Sequence, residues 1–415
     1  MSDKKKLKVL VLSDHPFSPS GVGTQTKYMI DSLLKTGDYQ FLCLGGAIKH
    51  QDYRPMKTEE WGDDLIIFPV DGYGTPEHIR SVLLQFKPDI MWFMTDPRFW
   101  TWLWNFSQEI RPNVPMVYYH VWDNYPYPKF NRKYYLSNDK VVTISKLTSD
   151  IVRTVTPEVD EEYLPHAVNP EWFKPLPEKD FSNFLQKDKT MFFWTNRNAR
   201  RKMSGSVMWW YKQFLDRVGH DKAFLLMHTD PKDPNGQDLE AIAVELGLNR
   251  QNFGISNSKV PPQVLAQFYN AADATINISD AEGFGLSVLE SLSCGTPVIV
   301  NKTGGMKDQA IGEDGEQFGV VVEPSSRAII GSQEVPYIYE DRVNGDDVVE
   351  AMVKIHNLSR EERKRLGKKG LEHVKKNFSF EQYGSKWDKI LKEVHEKNGS
   401  WETRKNYQSW QLKEI

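Results

Sequence analysis

Short, unbroken apolar runs alternate along this chain with longer spans in which apolar residues recur at helical spacing. The first half carries "LKVLVLS" (7–13), "QFLCLGG" (40–46), "LIIFPV" (65–70), "DIMWFMT" (89–95), "PMVYYHVW" (115–122) and "KVVTIS" (140–145). Runs of this length without polar alternation predict strands buried on both faces, and such strands belong to parallel sheets covered by helices. The intervening spans fit crossover helices. "VGTQTKYMIDSLLKTGD" ends at a glycine stop, and "TPEHIRSVLLQFKPD" opens on Thr-Pro-Glu and stops before Pro88.

Around 165–190 the pattern lapses into "LPHAVNPEWFKPLPEKDFSNFLQKDK", with four prolines and no apolar period, the composition of an interdomain connection. The alternation then restarts: "TMFFWTN", "KAFLLMHT", "ATINIS", "TPVIVN" and "FGVVVEP" read as strands, separated by helical spans such as "GSVMWWYKQFLDRVG" and "PPQVLAQFYNAA". The expected organisation is a first domain over 1–172, a connection over 173–188, a second domain over 189–385, and a helical tail over 386–415 that returns to the first domain. The tail is lysine-rich, as a solvated helical face is. The pattern predicts an α/β fold of two doubly wound, Rossmann-like domains facing across a cleft, with ligands expected at the carboxyl ends of the strands.

Composition narrows the function only by exclusion. A chain of 415 residues, 39% hydrophobic and 26% charged, is ordinary for two or three globular domains, and a net charge of -3 gives no global attraction to nucleic acid or anionic membrane. Cys43 and Cys294 stand in an apolar run and before a turn glycine, so neither a disulfide framework nor a zinc site is expected, and a reducing, cytoplasmic setting is. The opening "MSDKKKLKVLVLSD" has too short an apolar run for a signal peptide, and no run reaches the ~18 apolar residues of a transmembrane segment.

Three strand-end loops hold candidate chemistry. In "SDHPFSPSGVGTQTKY", Gly21 and Gly23 precede a helix, where a close backbone approach and a helix N-terminus favour a phosphate; Thr26 breaks the dinucleotide G-x-G-x-x-G pattern, which disfavours a nicotinamide cofactor. In "WTNRNARRKMSG", Arg197, Arg200, Arg201 and Lys202 fall within six residues and suit a diphosphate. In "DAEGFGLSVLE", Glu282 and Glu290 bracket a Gly-Phe-Gly turn, Gly283 to Gly285, that opens a helix with unpaired N–H groups at Leu286 and Ser287.

"EGFGLSVLE" followed by "SLSCGTPVIVNKTGG" resembles the Glu-(seven residues)-Glu signature of retaining nucleotide-sugar glycosyltransferases of the large fourth family, the group 1 enzymes, whose fold is GT-B. The similarity extends upstream through "PPQVLAQFYNAADATINIS", to the Arg/Lys segment, and to the "SGVGTQTKY" loop; it covers most of the second half and the first half in outline. The resemblance implies that Glu282 holds donor-sugar hydroxyls and Glu290 the nucleotide ribose. It implies that Arg197 and Lys202, with Arg201, neutralise the departing diphosphate, helped by backbone N–H groups near Gly21, Gly23 and from Gly283 and Phe284 to Ser287. His120 in "YYHVWDNYP" resembles the family's cleft histidine. The usual "GRL…KG" reads "NRNARRKMSG" here, which leaves Arg197, Arg200 and Arg201 as alternative partners for Lys202.

The chain has no Asp-x-Asp and no cysteine–histidine cluster, so the expected donor is a nucleoside-diphosphate sugar used without metal or cofactor. The aromatic segments "MWFMTDPRFWTWLWNF" and "VWDNYPYPKFNRKYY" are core or an acceptor groove; Asp96, Arg98, Trp122, Asp123 and Tyr125 are its candidate residues. The acceptor is a saccharide, a lipid or, through Arg98, Lys129, Arg132 and Lys133, hydroxymethylated DNA, the last suggested by a likeness of "SPSGVGTQTKY" and "IIGSQEVPYIYEDR" to phage-type members. The rivals are a glycoside hydrolase working through the two glutamates, a nucleotide-sugar epimerase of the same fold, and a non-catalytic binding module. No oligomeric state is assigned.

Overall fold

In the computed structural model, which describes residues 5–186 and 188–408, every unbroken apolar run of the first half is a strand. These are β1 (Leu7–Asp14), β2 (Tyr39–Gly46), β3 (Met56–Lys57), β4 (Leu65–Pro69), β5 (Ile90–Thr95), β6 (Met116–His120), β7 (Lys140–Thr143) and β8 (Glu161–Tyr163). They form one sheet in the order β3-β4-β2-β1-β5-β6-β7-β8, parallel except at the short β3, which meets β4 antiparallel. Val11 pairs with Cys43 on one side and with Trp92 on the other, so β1 is central. The strand order reverses between β1 and β5. Helices such as Gly21–Leu34 and Pro76–Gln85 supply the crossovers, each with a hydroxyl N-cap, Ser20 and Thr75.

The second half repeats the scheme with β9 (Thr190–Thr195), β10 (Ala223–His228), β11 (Phe253–Ser256), β12 (Ala274–Asn277), β13 (Val298–Asn301) and β14 (Gly319–Val322), all parallel in the order β11-β10-β9-β12-β13-β14. Here the order reverses between β9 and β12. A separate antiparallel hairpin, β15 (Ser326–Ile330) with β16 (Ile338–Arg342), follows the sheet. Its short strands were not predicted, because the segment lies beyond the last apolar run.

The chain divides into one unit of residues 1–166 with 381–415 and another of 167–380. The proline-rich stretch expected as a connection over 173–188 therefore belongs to the second unit. Its apolar residues explain this: Phe173 meets the Tyr269 ring at 6.1 Å, Phe181 packs with Met191 and Ala271, and the Leu176 N–H donates to Asn270 Oδ1 at 2.8 Å. The final helix, Phe380–Asn398, belongs to the first unit from Glu381, five residues before the expected boundary at 386. Fully buried Trp387 meets Trp92 at 5.7 Å and Tyr119 at 4.9 Å, and Tyr39 donates its hydroxyl to Asp388 at 2.8 Å. Residues 409–415 of the tail lie outside the described residues.

The aromatic segments are mostly core. Trp92, Trp100, Tyr118, Tyr119 and Tyr135 are 0% exposed and Trp122 is 2% exposed, which removes Trp122 from the groove-lining candidates. Burying so much ring area is what stabilises the middle of the first sheet. Phe99 and Tyr127 are exposed, at 39% and 38%, and Trp102, Tyr125, Phe130 and Tyr134 are half-buried.

Candidate active site

In a doubly wound sheet the ligand crevice opens at the carboxyl ends of the strands where the order reverses. In the second unit that point lies between β9 and β12. The loop after β9 carries the cationic run, and the loop after β12 carries Glu282. A backbone bond from the Asp280 N–H to the Arg201 carbonyl, 2.9 Å, ties the two loops together.

Lys202, 8% exposed, places its ammonium against Glu282 Oε2, and the Arg201 guanidinium reaches the same oxygen at 2.6 Å and the Ala281 carbonyl at 2.6 Å. Burial alone would raise the Glu282 carboxyl, but the two cations outweigh it and hold it down at about 2. Two cations on one carboxylate leave the cluster with a net charge of about +1. Of the three arginines weighed as partners for Lys202, the structure brings Arg201 to it through this shared glutamate. Arg197, expected on the diphosphate, instead makes a bidentate pair with Asp233 at 2.6 and 3.1 Å, and its side chain is 64% exposed. Arg200 is clamped by Glu340. Met203 is left-handed at φ 59° and packs against the core of the second unit.

The glycine turn is built for close packing. Gly285 caps the helix Leu286–Ser293 at φ 89°, and a Cβ there would lie 2.7 Å from Met306 Cγ. Gln309 donates to the Phe284 carbonyl at 2.6 Å, the Gly305 N–H to the Glu282 carbonyl at 3.0 Å, and Asn277 to the Ser287 hydroxyl at 3.0 Å. Gly283 and Gly285 are buried, Leu286 is half-buried, and no side chain caps the helix, whose first N–H groups have no intrahelical acceptor. Gly285→Ala is therefore expected to lower stability by about 1–2 kcal/mol and to weaken ligand binding at the turn, as read by urea unfolding and titration; an unchanged transition would contradict this geometry.

One turn into that helix, Glu290 accepts from the fully buried Tyr269 hydroxyl at 2.6 Å, and burial pushes its carboxyl up to about 7. The two glutamates thus sit at opposite ends of the carboxylate range. Four buried polar atoms without hydrogen-bond partners lie at this edge: Asn196 Nδ2 beyond β9, Thr229 Oγ1 beyond β10, Asp280 Oδ1 beyond β12 and Asn301 Oδ1 at the end of β13. Such atoms are rare, and their gathering at the strand ends is what a site for a polar ligand looks like.

Sequence reasoning missed the hairpin's part. Glu340 and Asp341 are each 4% exposed; Glu340 holds Arg200, while Asp341 accepts from Thr303 at 2.8 Å and Arg327 at 2.7 Å, and its N–H donates to the Asp280 carbonyl at 2.8 Å. Burial and nearby Glu340 raise Asp280 to about 6. The adjacent acids in "YIYEDR", at the end of an alternating run, were the available signal. A groove of about 880 Å³ in this unit lies at the other edge of the sheet, beside Thr190, Asp273 and Pro297, and is lined by none of the candidate residues.

In the first unit the order reverses between β1 and β5. Gly21 is exposed; Gly23 is buried, its N–H is taken by the Ser20 hydroxyl at 2.9 Å, and a Cβ would lie 2.7 Å from the His15 carbonyl. Gly23 thus serves close packing rather than an open N–H. Asp14 accepts from Ser20 at 2.5 Å and from Tyr73 at 2.7 Å. Asp96 caps the next turn by accepting from the Arg98 N–H at 3.0 Å, and Thr95 before it holds φ 143°, an outlier for a β-branched residue. Asp123 is half-buried, and Tyr125 donates to Asp150 at 2.6 Å.

His120 is not presented to a ligand. It is 0% exposed, with Nδ1 bonded to the Tyr118 hydroxyl at 3.0 Å and Nε2 to the Tyr135 hydroxyl at 2.9 Å. Tyr118 in turn donates to the Thr95 carbonyl at 2.6 Å, which fixes Nδ1 as donor and Nε2 as acceptor, and burial lowers the imidazole to about 3. A neutral histidine satisfied at both nitrogens is a core element. His120→Phe should cost about 1–3 kcal/mol in urea unfolding by stranding a tyrosine hydroxyl; a variant of full stability with lost turnover would return His120 to the site.

Sucrose-phosphate synthase from Thermosynechococcus elongatus superposes on 95% of this chain and 100% of its own, with a TM-score of 0.75 at 17% identity. The fold is GT-B. An E. coli trehalose-6-phosphate protein solved with UDP-2-fluoro glucose bound shares this GT-B fold at a TM-score of 0.65, with 13% identity over 93% of this chain and 98% of that one. Residues 218–373 match the sequence model of the family Glycosyl transferases group 1. That segment takes in the glycine turn, both glutamates and the hairpin of the second GT-B unit. A D-inositol 3-phosphate glycosyltransferase of Acidothermus cellulolyticus is 31% identical over 141 residues, 30% of this chain and 30% of its own length. The chain thus spans less than a third of the curated relatives it matches. Among the described residues no helix is long and apolar enough to cross a membrane, and no group of three or more His, Cys, Asp or Glu is arranged to hold a metal.

Proposed function

We propose that this chain transfers a sugar, with retention of anomeric configuration and without a metal, from a nucleoside diphosphate to an acceptor hydroxyl. The observation that carries the reading is the convergence of Lys202, Arg201 and Glu282 at the reversal point of the second sheet, beside the uncapped start of the helix Leu286–Ser293. Before donor binds, Glu282 holds both cations in place. A diphosphate brings more negative charge than one carboxylate, so it takes over Lys202 and Arg201 and leaves Glu282 to accept hydroxyls of the sugar. Glu290, one turn into that helix, receives the ribose hydroxyls in its ionised form.

In the transfer step the bond from the anomeric carbon to the diphosphate oxygen breaks, and its electron pair stays on the phosphate. The acceptor oxygen bonds to the same face of that carbon, and its proton passes to the departing phosphate. Lys202, Arg201 and the helix N–H groups stabilise the charge that grows on the leaving group. This assigns the metal's usual task to fixed cations. A pair of carboxyls near 2 and 7 also fits a retaining glycosidase in outline. Against it, the would-be nucleophile Glu282 is occupied by two cations, and a hydrolase needs no such pair.

The test is a thermal-shift panel of nucleoside diphosphates and their sugars in EDTA. At least one sugar nucleotide should raise Tm above what its nucleoside achieves; no shift with any nucleoside diphosphate would sink the proposal.

A further inference from the structure

We propose that the hairpin β15–β16 is the positioning device of the second unit's site: Glu340 and Asp341 hold the loops after β9, β12 and β13 in place, so that Lys202 and Arg201 are oriented before a diphosphate arrives. The inference rests on the transfer reaction above, and the hairpin acts through those two cations. Neighbouring residues of a strand project to opposite faces, so two adjacent acids that are each 4% exposed mean that the end of β16 is covered on both sides. On one side Glu340 takes the guanidinium of Arg200, the first residue of the turn Arg200–Lys202. On the other, Asp341 is hydrogen-bonded through every polar group it has. Its carboxylate accepts from Thr303 at 2.8 Å and, across the hairpin, from Arg327 at 2.7 Å. Its N–H donates to the Asp280 carbonyl at 2.8 Å, and its carbonyl accepts from Asn301 Nδ2 at 2.6 Å.

Asn301 gives its second N–H to the Ser279 carbonyl at 2.9 Å, so one amide joins the ends of β12 and β13 to the hairpin. The Asp280 N–H carries the connection on to the Arg201 carbonyl at 2.9 Å. The cationic turn is therefore tied to β16 twice, once by the Arg200 side chain and once through Asp280. It needs such ties. The turn is three residues long, ends on left-handed Met203, and carries three adjacent positive charges that repel one another. Misplacing a catalytic contact by about 1 Å can cost about 100-fold in rate, and donors held in advance need no reorganisation as charge develops.

Charge balance separates this role from a second reading, in which Arg200 is itself a diphosphate ligand resting on Glu340. Arg200, Arg327 and Arg342 face Asp280, Glu340 and Asp341, three cations against three carboxyls, so this cluster holds no surplus for an anion. Lys202 and Arg201 share the single carboxylate of Glu282 and do leave a surplus. The bidentate pair with Glu340 fixes the direction of Arg200 as well as its distance, which is what a tether requires.

The experiment compares the full-length wild type with Glu340→Gln, Arg200→Met, the double variant and Asp341→Asn, all in EDTA. It reads kcat and KM for the sugar nucleotide that the panel above selects, calorimetric affinity for the matching nucleoside diphosphate, and amide exchange across 196–203 and 279–285. Each single variant should lower kcat tenfold or more with KM changed less than threefold, and should speed exchange tenfold or more in those two segments while β9 and β12 stay protected. The double variant should fall within threefold of the worse single one, because Arg200 and Glu340 act as one tether. Tighter diphosphate binding by Glu340→Gln with weaker binding by Arg200→Met would make Arg200 a ligand-binding residue and overturn the proposal. So would losses that multiply in the double variant, or a lower Tm with kcat and exchange in the two segments unchanged. The Arg200 side chain is 61% exposed, so Arg200→Met tests the tether even where a variant of a buried acid fails to fold. If the wild type cleaves no sugar nucleotide, the transfer reading fails, and exchange in Arg200→Met still decides the hairpin's role: faster exchange in the two segments upholds it, and unchanged exchange overturns it.

Discussion

Lys202→Ala is expected to lower turnover about 100- to 1,000-fold while changing nucleoside affinity less than threefold. The ammonium is buried in the loop beyond β9, and in the proposed transfer it would act most on the charge that grows on the diphosphate in the transition state; losing one such contact costs ~2–4 kcal/mol. The substitution also leaves Glu282 with one cation, Arg201, so its carboxyl should rise from about 2. Steady-state kinetics with and without an acceptor would separate kcat from KM. A raised KM for the sugar nucleotide with kcat unchanged would show that Lys202 contributes uniform binding instead.

The second large effect belongs to the glutamates, and pH reveals it. Glu290 is raised by burial from 4.5 to about 7, so near neutrality it is about half protonated. In its proposed role the ionised form accepts from ribose hydroxyls. Affinity for a free nucleoside, which carries no phosphate of its own to titrate, should therefore rise about fivefold from pH 6 to pH 7 and level off above pH 8. Glu290→Gln should flatten this profile and weaken every nucleotide by about 10- to 100-fold, whereas Glu282→Gln, which releases Lys202 and Arg201, should weaken sugar nucleotides without weakening the free nucleoside diphosphate. Stability runs the other way. Between about 4.5 and 7 the folded carboxyl keeps a proton that the unfolded chain has released, so wild-type stability falls as pH rises through that window, and the Gln variant lacks this contribution. Calorimetric titration across pH 5.5–8.5 checks the binding profile; identical effects of both variants on a free nucleoside diphosphate would reverse the assignment.

The architecture was legible because buried parallel strands need no polar alternation. "KVLVLS" and "VIVN" could be read from apolarity alone, and the two reversal points follow from strand order. Lys202 and Glu282 were legible because their loops follow predicted strands. The residues that escaped depend on pairing partners far along the chain. Whether Arg197, Arg200 or Arg201 joins Lys202 is decided by Asp233 and Glu340, which sit 36 and 140 residues away from the arginines they bind. His120 ends a predicted strand, where the resemblance places a cleft histidine, but two tyrosine hydroxyls close both its nitrogens, one of them from Tyr135, outside its own strand. The prolines of 173–188 suggested an open connection; Phe173 and Phe181 fold it onto the second unit instead.

In the proposed reaction Lys202 and Arg201 of the β9 loop, held by Glu282 of the β12 loop, do the work on the diphosphate. The most direct measurement is release of nucleoside diphosphate from the best-binding sugar nucleotide in excess EDTA, wild type beside Lys202→Ala. Release by the wild type that is unchanged by EDTA and lost in the variant is the predicted result. Release that stops with EDTA and returns with Mn²⁺, or that proceeds equally in Lys202→Ala, would contradict it.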